Sequence, residues 1–426
     1  MFITASFENS DLHTKRGVLL KKLLALLISA AILISFAACS NGAASSDNTE
    51  QTSSQSSVTE TVQATFASAE TDNLDWVPFK EYNLDSNANV KNIILMIGDG
   101  MGENIIKAAE IVKGDKTVMS GLPNKTHVTT YSLSVTSGEA EFTDSAAAST
   151  AMSTGVKTYN RYIGVDKDGN DLETICEFAQ KYDMKTGLVD RHYVSHATPA
   201  GMAAHNSSRE NYVQILRDMA RTGVNVMFGG GEQFYKDSNK TKTYISEKGY
   251  TFIDTEEQLL ALDGSDDKVL GMFAYENMKN AYRQPTLTTM TSKALDLLDN
   301  DKGFFLMVEG SNIDVCESEQ DMQGTIEQMM AFDHTVDYVL NWAQEHPGTL
   351  VLVTADHETG GVQIPDNATA DDINNDCFTS GGEHTDANVL LMAGGAQSAE
   401  ICSSDVIDNT DIAKYMRKVL NDSHKQ

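Results

Sequence analysis

The stretch at residues 96–102, Met-Ile-Gly-Asp-Gly-Met-Gly, constrains the fold more than any other part of the chain. It closes an apolar run at residues 92–97 that is typical of a buried strand, and it places Asp99 just beyond that strand. In open α/β sheets, ligands bind at the carboxyl ends of the strands. Glycines on both sides of Asp99 allow a sharp turn and close approach of a bound group. A carboxylate at this place favours a hard cation, although Gly-Asp-Gly is also an ordinary turn.

Apolar runs typical of strands recur along the chain, at residues 186–189, 269–273, 303–308, 349–354 and 389–392. Helical patterns lie between them, for example at residues 172–181, 209–222, 289–298, 328–343 and 411–420. Strands that alternate with helices predict an α/β fold, in which a central, mostly parallel sheet is flanked by helices on both faces. Since the carboxyl ends of parallel strands share one edge of the sheet, polar residues that follow different strands are expected to converge there.

The first forty residues have the pattern of an export signal. Basic residues precede an apolar run at residues 23–36, which is too short for a comfortable membrane span. The run leads into Ala-Ala-Cys, which resembles a bacterial lipobox. This pattern predicts a lipoprotein signal peptide over residues 1–38 and a lipid on Cys39, whereas an uncleaved helical anchor is the less favoured alternative.

Residues 39–75 are dominated by Ser, Thr, Ala, Gln, Asn and Glu. Such a composition cannot repay the entropy of folding, so it predicts a flexible tether. Globular sequence follows, and we expect a catalytic domain over residues 76–426. An exported, lipid-anchored chain would hold this domain outside the cytoplasm, at a bacterial membrane.

The formal net charge of −29 argues against nucleic-acid binding, which needs clusters of Lys and Arg. It does not exclude an anionic substrate, because carboxylates that collect divalent cations then present positive charge. A solvated surface explains the acidity equally well. Disulfide bridges and free thiols are equally open for the cysteines that follow Cys39, namely Cys176, Cys316, Cys377 and Cys402.

Two pairs of polar residues follow strand-like runs. Asp356 and His357 come after the run at residues 349–354, and adjacent residues of these types can bind one ion. Glu309 follows another run, with Asp314 five residues later, and buried carboxylates need a partner that a cation can supply. Taken singly, each pair is also an ordinary surface dipeptide or a set of loop carboxylates in water.

Asp144 and Ser145 introduce a run of small residues that predicts a helix to about Ser153. Asp or Ser at a helix start is ordinarily an N-cap. The same geometry would direct free backbone N–H groups at a phosphate and leave the serine accessible as a nucleophile. A nearby divalent ion would lower the cost of deprotonating that serine.

Three further segments carry candidate residues. His196 and Thr198 lie in one short stretch and can serve a metal ion, directly or through water. Arg209 offers a planar guanidinium that matches two phosphate oxygens, although a surface salt bridge is the ordinary role of an isolated arginine. His384 is a further candidate imidazole ligand.

Taken in order, these segments resemble the alkaline phosphatase family from about residue 91 to the C-terminus. The resemblance rests on short motifs at residues 91–102, 143–147, 153–158, 196–200, 308–311, 354–357 and 383–385. Each motif is short, but their joint occurrence in the family order is highly specific.

The resemblance implies a role at each matching position. Ser145 would be the nucleophile that becomes phosphorylated, Arg209 would hold the phosphate oxygens, and Asp144 would orient Arg209. Up to two zinc ions and one magnesium ion are implied. Their ligands would be Asp99, Asp356 and His357 for the first zinc, Asp314 and His384 for the second, and Asp99, Thr198 and Glu309 for magnesium. His196 would lie at the magnesium ion, which we expect to be held weakly or through water because imidazole is a poorer partner for it than carboxylate.

The chain departs from the family pattern at Ser318. The family has Ile-Asp-x-x-x-His at this place, and the histidine is the third protein ligand of the second zinc ion. Here Asp314 is followed by Val-Cys-Glu-Ser, so serine occupies the position of the histidine. Catalytic zinc normally keeps three protein ligands. Either Cys316, Glu317 or Glu319 reaches the ion in a rearranged loop, or the site takes another ion, or it is partly empty; we expect a rearranged, working site.

The leading hypothesis is a lipid-anchored phosphomonoesterase that acts on small extracellular phosphate esters. Phosphodiesterase activity on the same metal framework is an alternative, but Arg209 together with Asp144 and Ser145 favours monoesters. A non-catalytic phosphate- or metal-binding lipoprotein is the other alternative, and Ser318 is its only argument. The family resemblance also allows a homodimer.

Overall fold

The computed structural model describes residues 76–425. The signal peptide, the tether and Cys39, all expected from the sequence, lie outside these residues. Within residues 76–425, no helix is both long enough and apolar enough to cross a membrane.

The described residues contain short and long strands in chain order: β1 (Asn92–Gly98), β2 (Asn124–Thr129), β3 (Lys185–Tyr193), β4 (Val226–Gly230), β5 (Thr251–Ile253), β6 (Val269–Met272), β7 (Phe304–Gly310), β8 (Thr349–Thr354), β9 (Glu358–Thr359), β10 (His384–Thr385), β11 (Val389–Gly395) and β12 (Val406–Asp408). The helices are α1 (Glu103–Lys113), α2 (Leu133–Ser137), α3 (Ser145–Thr154), α4 (Ile175–Gln180), α5 (Ala197–Ala203), α6 (Tyr212–Thr222), α7 (Gln233–Lys236), α8 (Asn239–Glu247), α9 (Glu256–Ala261), α10 (Leu287–Leu298), α11 (Asn312–Ser318), α12 (Met322–Glu345) and α13 (Asn409–His424). Single 3₁₀ turns lie at Met119–Gly121, Ala370–Asp372 and Asn375–Cys377.

A ten-stranded sheet organises the described residues, in the order β12-β2-β11-β8-β1-β7-β3-β4-β6-β5. All neighbouring strands are parallel except β11, which is antiparallel to both β2 and β8. β9 and β10 form a separate antiparallel pair. The predicted fold class, a mostly parallel sheet flanked by helices, is therefore confirmed.

The central strands are buried on both faces. Every residue of β1, β7 and β8 is buried, and their near-continuous apolar sequences are what parallel strands under two helical layers require. α12 packs against all three of these strands, while α10 and α4 pack against β3 and β7. These strands therefore form the buried centre of the sheet, and the polar residues described next lie at one of its edges.

The register brings the polar residues of different strands to one edge. Ile97 of β1 lies level with Glu309 of β7 and with Thr354 of β8. Asp99 comes two residues after Ile97, and Asp356 comes two residues after Thr354. Both therefore share this edge of the sheet with Glu309. One detail of the sequence interpretation was wrong: Glu309 does not follow its strand but is the penultimate residue of β7.

The predicted elements match the observed ones best where apolar runs are long. The run at residues 349–354 is β8 without change, whereas the helix predicted at 172–181 is only Ile175–Gln180, because a capping box between Thr174 and Glu177 starts it later. The sequence patterns did not identify β2 and β4. Polar residues interrupt β2 and two glycines end β4, so neither has a clear strand pattern.

Gly303, just before β7, provides a test of this packing. Its φ is +83°, and a Cβ there would collide with the carbonyl oxygen of Lys91 and lie 2.9 Å from its carbonyl carbon. Gly169 has nearly the same φ, +82°, but has no atom within 4 Å of such a Cβ. We expect Gly169→Ala to cost about 1–2 kcal/mol through φ alone, and Gly303→Ala to cost a further ~1–3 kcal/mol through overpacking. Denaturant unfolding of both variants measures the difference; equal losses would contradict this account.

Candidate metal centre and nucleophile

Ser145 is the first residue of α3, and the sequence places it there for a local reason. Asp144 is the N-cap, and its Oδ1 accepts a hydrogen bond from the backbone N–H of Ala147 at 3.0 Å. Ser145 is 3% exposed, and its Oγ lies 3.3 Å from Nε2 of His357. Asp144 is therefore an ordinary N-cap and also the residue that directly precedes the candidate nucleophile, Ser145.

Asp99 and Asp356 form a group with His357, the residue beside Ser145, and their ligand atoms lie within 4.8 Å of one another. His357 Nε2 lies 3.5 Å from Asp99 Oδ1 and 3.3 Å from Asp356 Oδ2. The other oxygen of Asp356 accepts hydrogen bonds from the backbone N–H groups of Gly100 and His357. Asp356 is thus fixed by the backbone on one side and presents its second oxygen to the group.

A second group joins Asp99 to His196 and Glu309. Within the described part of the chain, both carboxylate oxygens of Glu309, which is 0% exposed, lack a hydrogen-bond partner, as does the buried Oγ1 of Thr198. His196 Nε2 is 3.3 Å from Nη2 of Arg209. The sequence-predicted residues of the magnesium site are therefore brought together, with unpartnered oxygen atoms among them.

A third group consists of Asp314, His357 and His384. His384 Nε2 lies 3.6 Å from Asp314 Oδ1, which also accepts a 2.6 Å hydrogen bond from Thr359 Oγ1. The rings of His357 and His384 stack with centroids 3.6 Å apart. His357 thus belongs to two groups, whereas the sequence assigned it to one.

Arg209 lies at the mouth of this centre. Its Nη1 donates a 3.0 Å hydrogen bond to Asp144 Oδ2, which also accepts from the backbone N–H of Arg161 at 2.9 Å. A cavity of about 840 Å³ opens beside Asp144 and Arg209 and is further lined by residues that include Tyr159 and Tyr162. A ligand whose phosphate contacts Arg209 would have room in this cavity for the rest of its structure.

Burial determines the electrostatics of the centre. Desolvation, reinforced by Asp356 and other neighbouring carboxylates, raises the pKa of Asp99 well above its usual value, and the pKa of Glu309 rises for the same reasons. Desolvation lowers the pKa of His357 and of His196 well below the usual histidine range, so both rings are neutral. Neutral imidazoles and unpartnered carboxylate oxygens are the donors that bind divalent cations. The residues present therefore fit metal ions.

Ser318 is the residue at which the chain departs from the family pattern. It is exposed at the end of α11, where its backbone carbonyl lies against Gly382. Of the residues that could replace the missing histidine, Glu319 is exposed and pairs with Lys279, whereas Glu317 is fully buried. Among these residues, the buried one is therefore Glu317, whereas Ser318 and Glu319 face solvent.

Asp190 and His192 were missed by the sequence interpretation. Asp190 is 1% exposed, and burial raises its pKa to about 6; beside it in the centre lies Glu309, whose pKa the charge of Asp190 helps to raise. The ring of His192 stacks on that of His196 with centroids 4.1 Å apart. A signal for Asp190 was available, because it directly follows the predicted strand at residues 186–189. His192 had none.

The cysteines at positions 176, 316, 377 and 402 are all free thiols in the structure. Of the two alternatives left open by the sequence, the structure thus shows free thiols. Burial raises the pKa of Cys402 to about 11, so that thiol is protonated at neutral pH.

Comparison with known proteins identifies related chains. The family model described as alkaline phosphatase matches residues 90–375. The chain is 38% identical to alkaline phosphatase 4 of Bacillus subtilis, in an alignment that covers 66% of this chain. It is 30% identical to alkaline phosphatase H of Pseudomonas aeruginosa, in an alignment that covers 79% of this chain and 86% of that protein. A solved structure of a variant of the TAB5 alkaline phosphatase, with magnesium bound in its M3 site, aligns with a TM-score of 0.68 and 26% identity, covering 80% of this chain and 99% of that one. The chain spans 64% of the length of the Bacillus relative, which is less than two thirds.

Removing divalent cations is expected to make stability fall as the pH rises. Burial raises the pKa of Asp99 and Glu309 above their ordinary values of 3.8 and 4.5. The contribution of these two carboxyl groups to the free energy of unfolding is therefore fully present at pH values below their ordinary pKa values. It is lost as the pH rises through the raised pKa values. Bound cations offset this loss, adding about 2.7 kcal/mol at a hundred times Kd.

The measurement is the Tm of chelator-treated protein at about pH 5 and about pH 8, each with and without added zinc and magnesium. The increase caused by the cations should be larger at the higher pH. An increase that is equal or smaller there would contradict the cation-binding role of these carboxylates.

Proposed function

This chain belongs to the alkaline phosphatase family, and from that premise we propose that it is a metal-dependent phosphomonoesterase that works through a phosphoserine on Ser145. The observation that carries the proposal is the position of the Ser145 hydroxyl. It lies at the N-terminus of α3, next to His357 and the Asp99–Asp356 pair, with Arg209 held nearby by Asp144. Phosphoryl transfer needs this combination of positioning and charge neutralisation.

We infer up to two zinc ions and one magnesium ion. The first zinc would be held by Asp99, Asp356 and His357, the second by Asp314 and His384, and magnesium by Asp99, Thr198 and Glu309, with His196 beside it. When bound, such ions neutralise charge on the transferred phosphoryl group and ease deprotonation of an attacking hydroxyl.

The chain's own residues then have distinct tasks. Arg209 binds two phosphate oxygens and is oriented by Asp144, which also fixes the start of α3. The bond from Ser145 Oγ to phosphorus forms as the ester P–O bond breaks, and the alcohol leaves with a proton. Water then attacks the phosphoserine, releasing phosphate and restoring the serine hydroxyl. The cavity beside Arg209 would receive the alcohol portion of the phosphate ester.

The remaining parts of the proposal concern location and assembly. Residues 1–38 would direct export, and a lipid on Cys39 would anchor the chain to a bacterial membrane. Residues 39–75 would tether the domain at residues 76–426 outside the cytoplasm. A homodimer is proposed from the family resemblance alone, and no nucleic-acid partner is expected because of the charge of −29.

Ser318 favours one second candidate, a protein that binds phosphate or metal without turnover. Because residue 318 is serine, the site formed by Asp314 and His384 lacks the histidine of the family pattern. Turnover of a chromogenic monoester, with and without added zinc and magnesium, separates the two candidates.

Ser145→Ala is expected to lower monoester turnover by about a thousandfold or more, because the covalent step loses its nucleophile. Acid-quenched wild-type protein should carry acid-stable phosphate on Ser145 after brief incubation with a labelled substrate, and the variant should carry none. Ser149→Ala is the matched control in the same helix, since the Ser149 hydroxyl bonds only to backbone carbonyls and should not affect labelling. Labelling that persists in Ser145→Ala would refute the proposed nucleophile.

Arg209→Ala is expected to lower kcat/KM for a monoester by about 10- to 100-fold, the equivalent of one charge-assisted contact of ~1.5–3 kcal/mol. A diester presents fewer charged oxygens, so its hydrolysis should fall less, and the ratio of monoester to diester activity should decrease. Parallel assays of one monoester and one diester give this ratio. A wild-type enzyme that prefers the diester would support the phosphodiesterase alternative instead.

A further inference from the structure

Glu317 is a buried carboxylate that the proposed mechanism does not use. Its side chain is 0% exposed, and neither Oε1 nor Oε2 has a hydrogen-bond partner among residues 76–425. An ionised carboxylate in such a place is costly unless it meets a cation. An unpartnered side chain of this kind therefore needs an explanation.

The carboxylate of Glu317 lies next to the third metal-ligand group. In α11, Glu317 comes one helical turn after Asp314, so the two side chains share a face. A Cβ on Gly100 would collide with Glu317 Oε2 and would lie 3.0 Å from Thr359 Oγ1 and 3.1 Å from the Cα of Asp314. Thr359 Oγ1 is the same hydroxyl that donates to Asp314 Oδ1. The carboxylate and the hydroxyl that holds Asp314 are thus close neighbours.

The other candidate ligands that follow Asp314 in the sequence are either exposed or packed towards another helix. Ser318 is exposed. Cys316 points towards α12, with its Sγ 3.0 Å from the position of a Cβ on Gly324, and Glu319 pairs with Lys279 at the surface. Between Asp314 and α12, Glu317 is the residue that combines burial, charge and unpartnered oxygen atoms.

We propose that Glu317 is the third protein ligand of the cation held by Asp314 and His384, in place of the histidine that the family pattern has at position 318. The inference rests on the proposed function only for the presence of that cation. In the structure, the group within 4.8 Å is Asp314, His357 and His384, and Glu317 is not a member of it. With Glu317 as the third ligand, reached by a change of its rotamer, His357 would be left to Asp99 and Asp356, with which it already forms a group.

This ligand set has a chemical consequence. Two carboxylates and one imidazole neutralise a divalent cation and form a harder site than one carboxylate and two imidazoles. Harder ligands favour manganese or magnesium relative to zinc. The site is therefore expected to discriminate less strongly in favour of zinc than a site with the family's histidine.

The test measures metal binding and does not depend on turnover. Glu317→Gln removes the charge at nearly constant shape, and Glu319→Gln is the matched control two residues away. Cation content per chain is measured by mass spectrometry, and zinc and manganese affinities by competition with a chromogenic chelator. Glu317→Gln should lose one cation per chain or bind it at least about tenfold more weakly, while Glu319→Gln should match the wild type.

A rescue variant separates ligation from a structural role. Glu317→Gln combined with Ser318→His should regain zinc binding and prefer zinc to manganese more strongly than the wild type does. A structural defect at position 317 would not be repaired by a histidine at position 318. Unfolding of the metal-free variants checks that each is folded.

Unchanged cation content and affinity in Glu317→Gln would overturn the inference, as would a loss that Ser318→His fails to rescue. Failure of the proposed function is a separate result, namely wild-type protein that binds its cations but neither hydrolyses a monoester nor labels Ser145. Metal binding that depends on Glu317 in such a protein would support the ligand assignment and contradict only the catalytic proposal.

Discussion

The burial of carboxylates at one edge of a parallel sheet is the constraint on which this molecule depends. Asp99, Glu309 and Asp356 are each at most 1% exposed, although they lie in or just after strands whose sequences are mostly apolar. Isolated, ionised groups of this kind are among the most costly that a folded chain can contain. The sheet can hold them because its long apolar strands supply the stabilisation, and because bound cations would compensate their charge.

Asp144 connects the structural and chemical requirements of the centre. One oxygen caps α3, while the other accepts hydrogen bonds from the Arg209 guanidinium and from the backbone of Arg161. The start of the helix, the guanidinium of Arg209 and the loop that follows α3 are therefore fixed to one carboxylate. Because Ser145 is the next residue, its hydroxyl inherits that rigidity, and positioning of this kind is a large part of phosphoryl-transfer catalysis.

The sequence predicts the features that arise from local pattern. The apolar runs identify β1, β7 and β8, and the rule that strand ends share an edge is enough to predict that Asp99 and Asp356 lie together. The same rule, applied to the run at residues 186–189, would have included Asp190. It cannot reveal that His357 contacts two groups, or that the ring of His192 stacks on that of His196, because these contacts depend on the packing of side chains from distant segments.

His357 shows why the departure at Ser318 matters beyond a single ligand. Its imidazole belongs to the group with Asp99 and Asp356 and also to the group with Asp314 and His384, so a ring that serves one is withdrawn from the other. Here the chain offers Glu317, a buried carboxylate with two free oxygen atoms on the same face of α11 as Asp314. If that carboxylate completes the third group, His357 stays with the nucleophile, and the loss of the histidine changes the choice of cation without dismantling the centre.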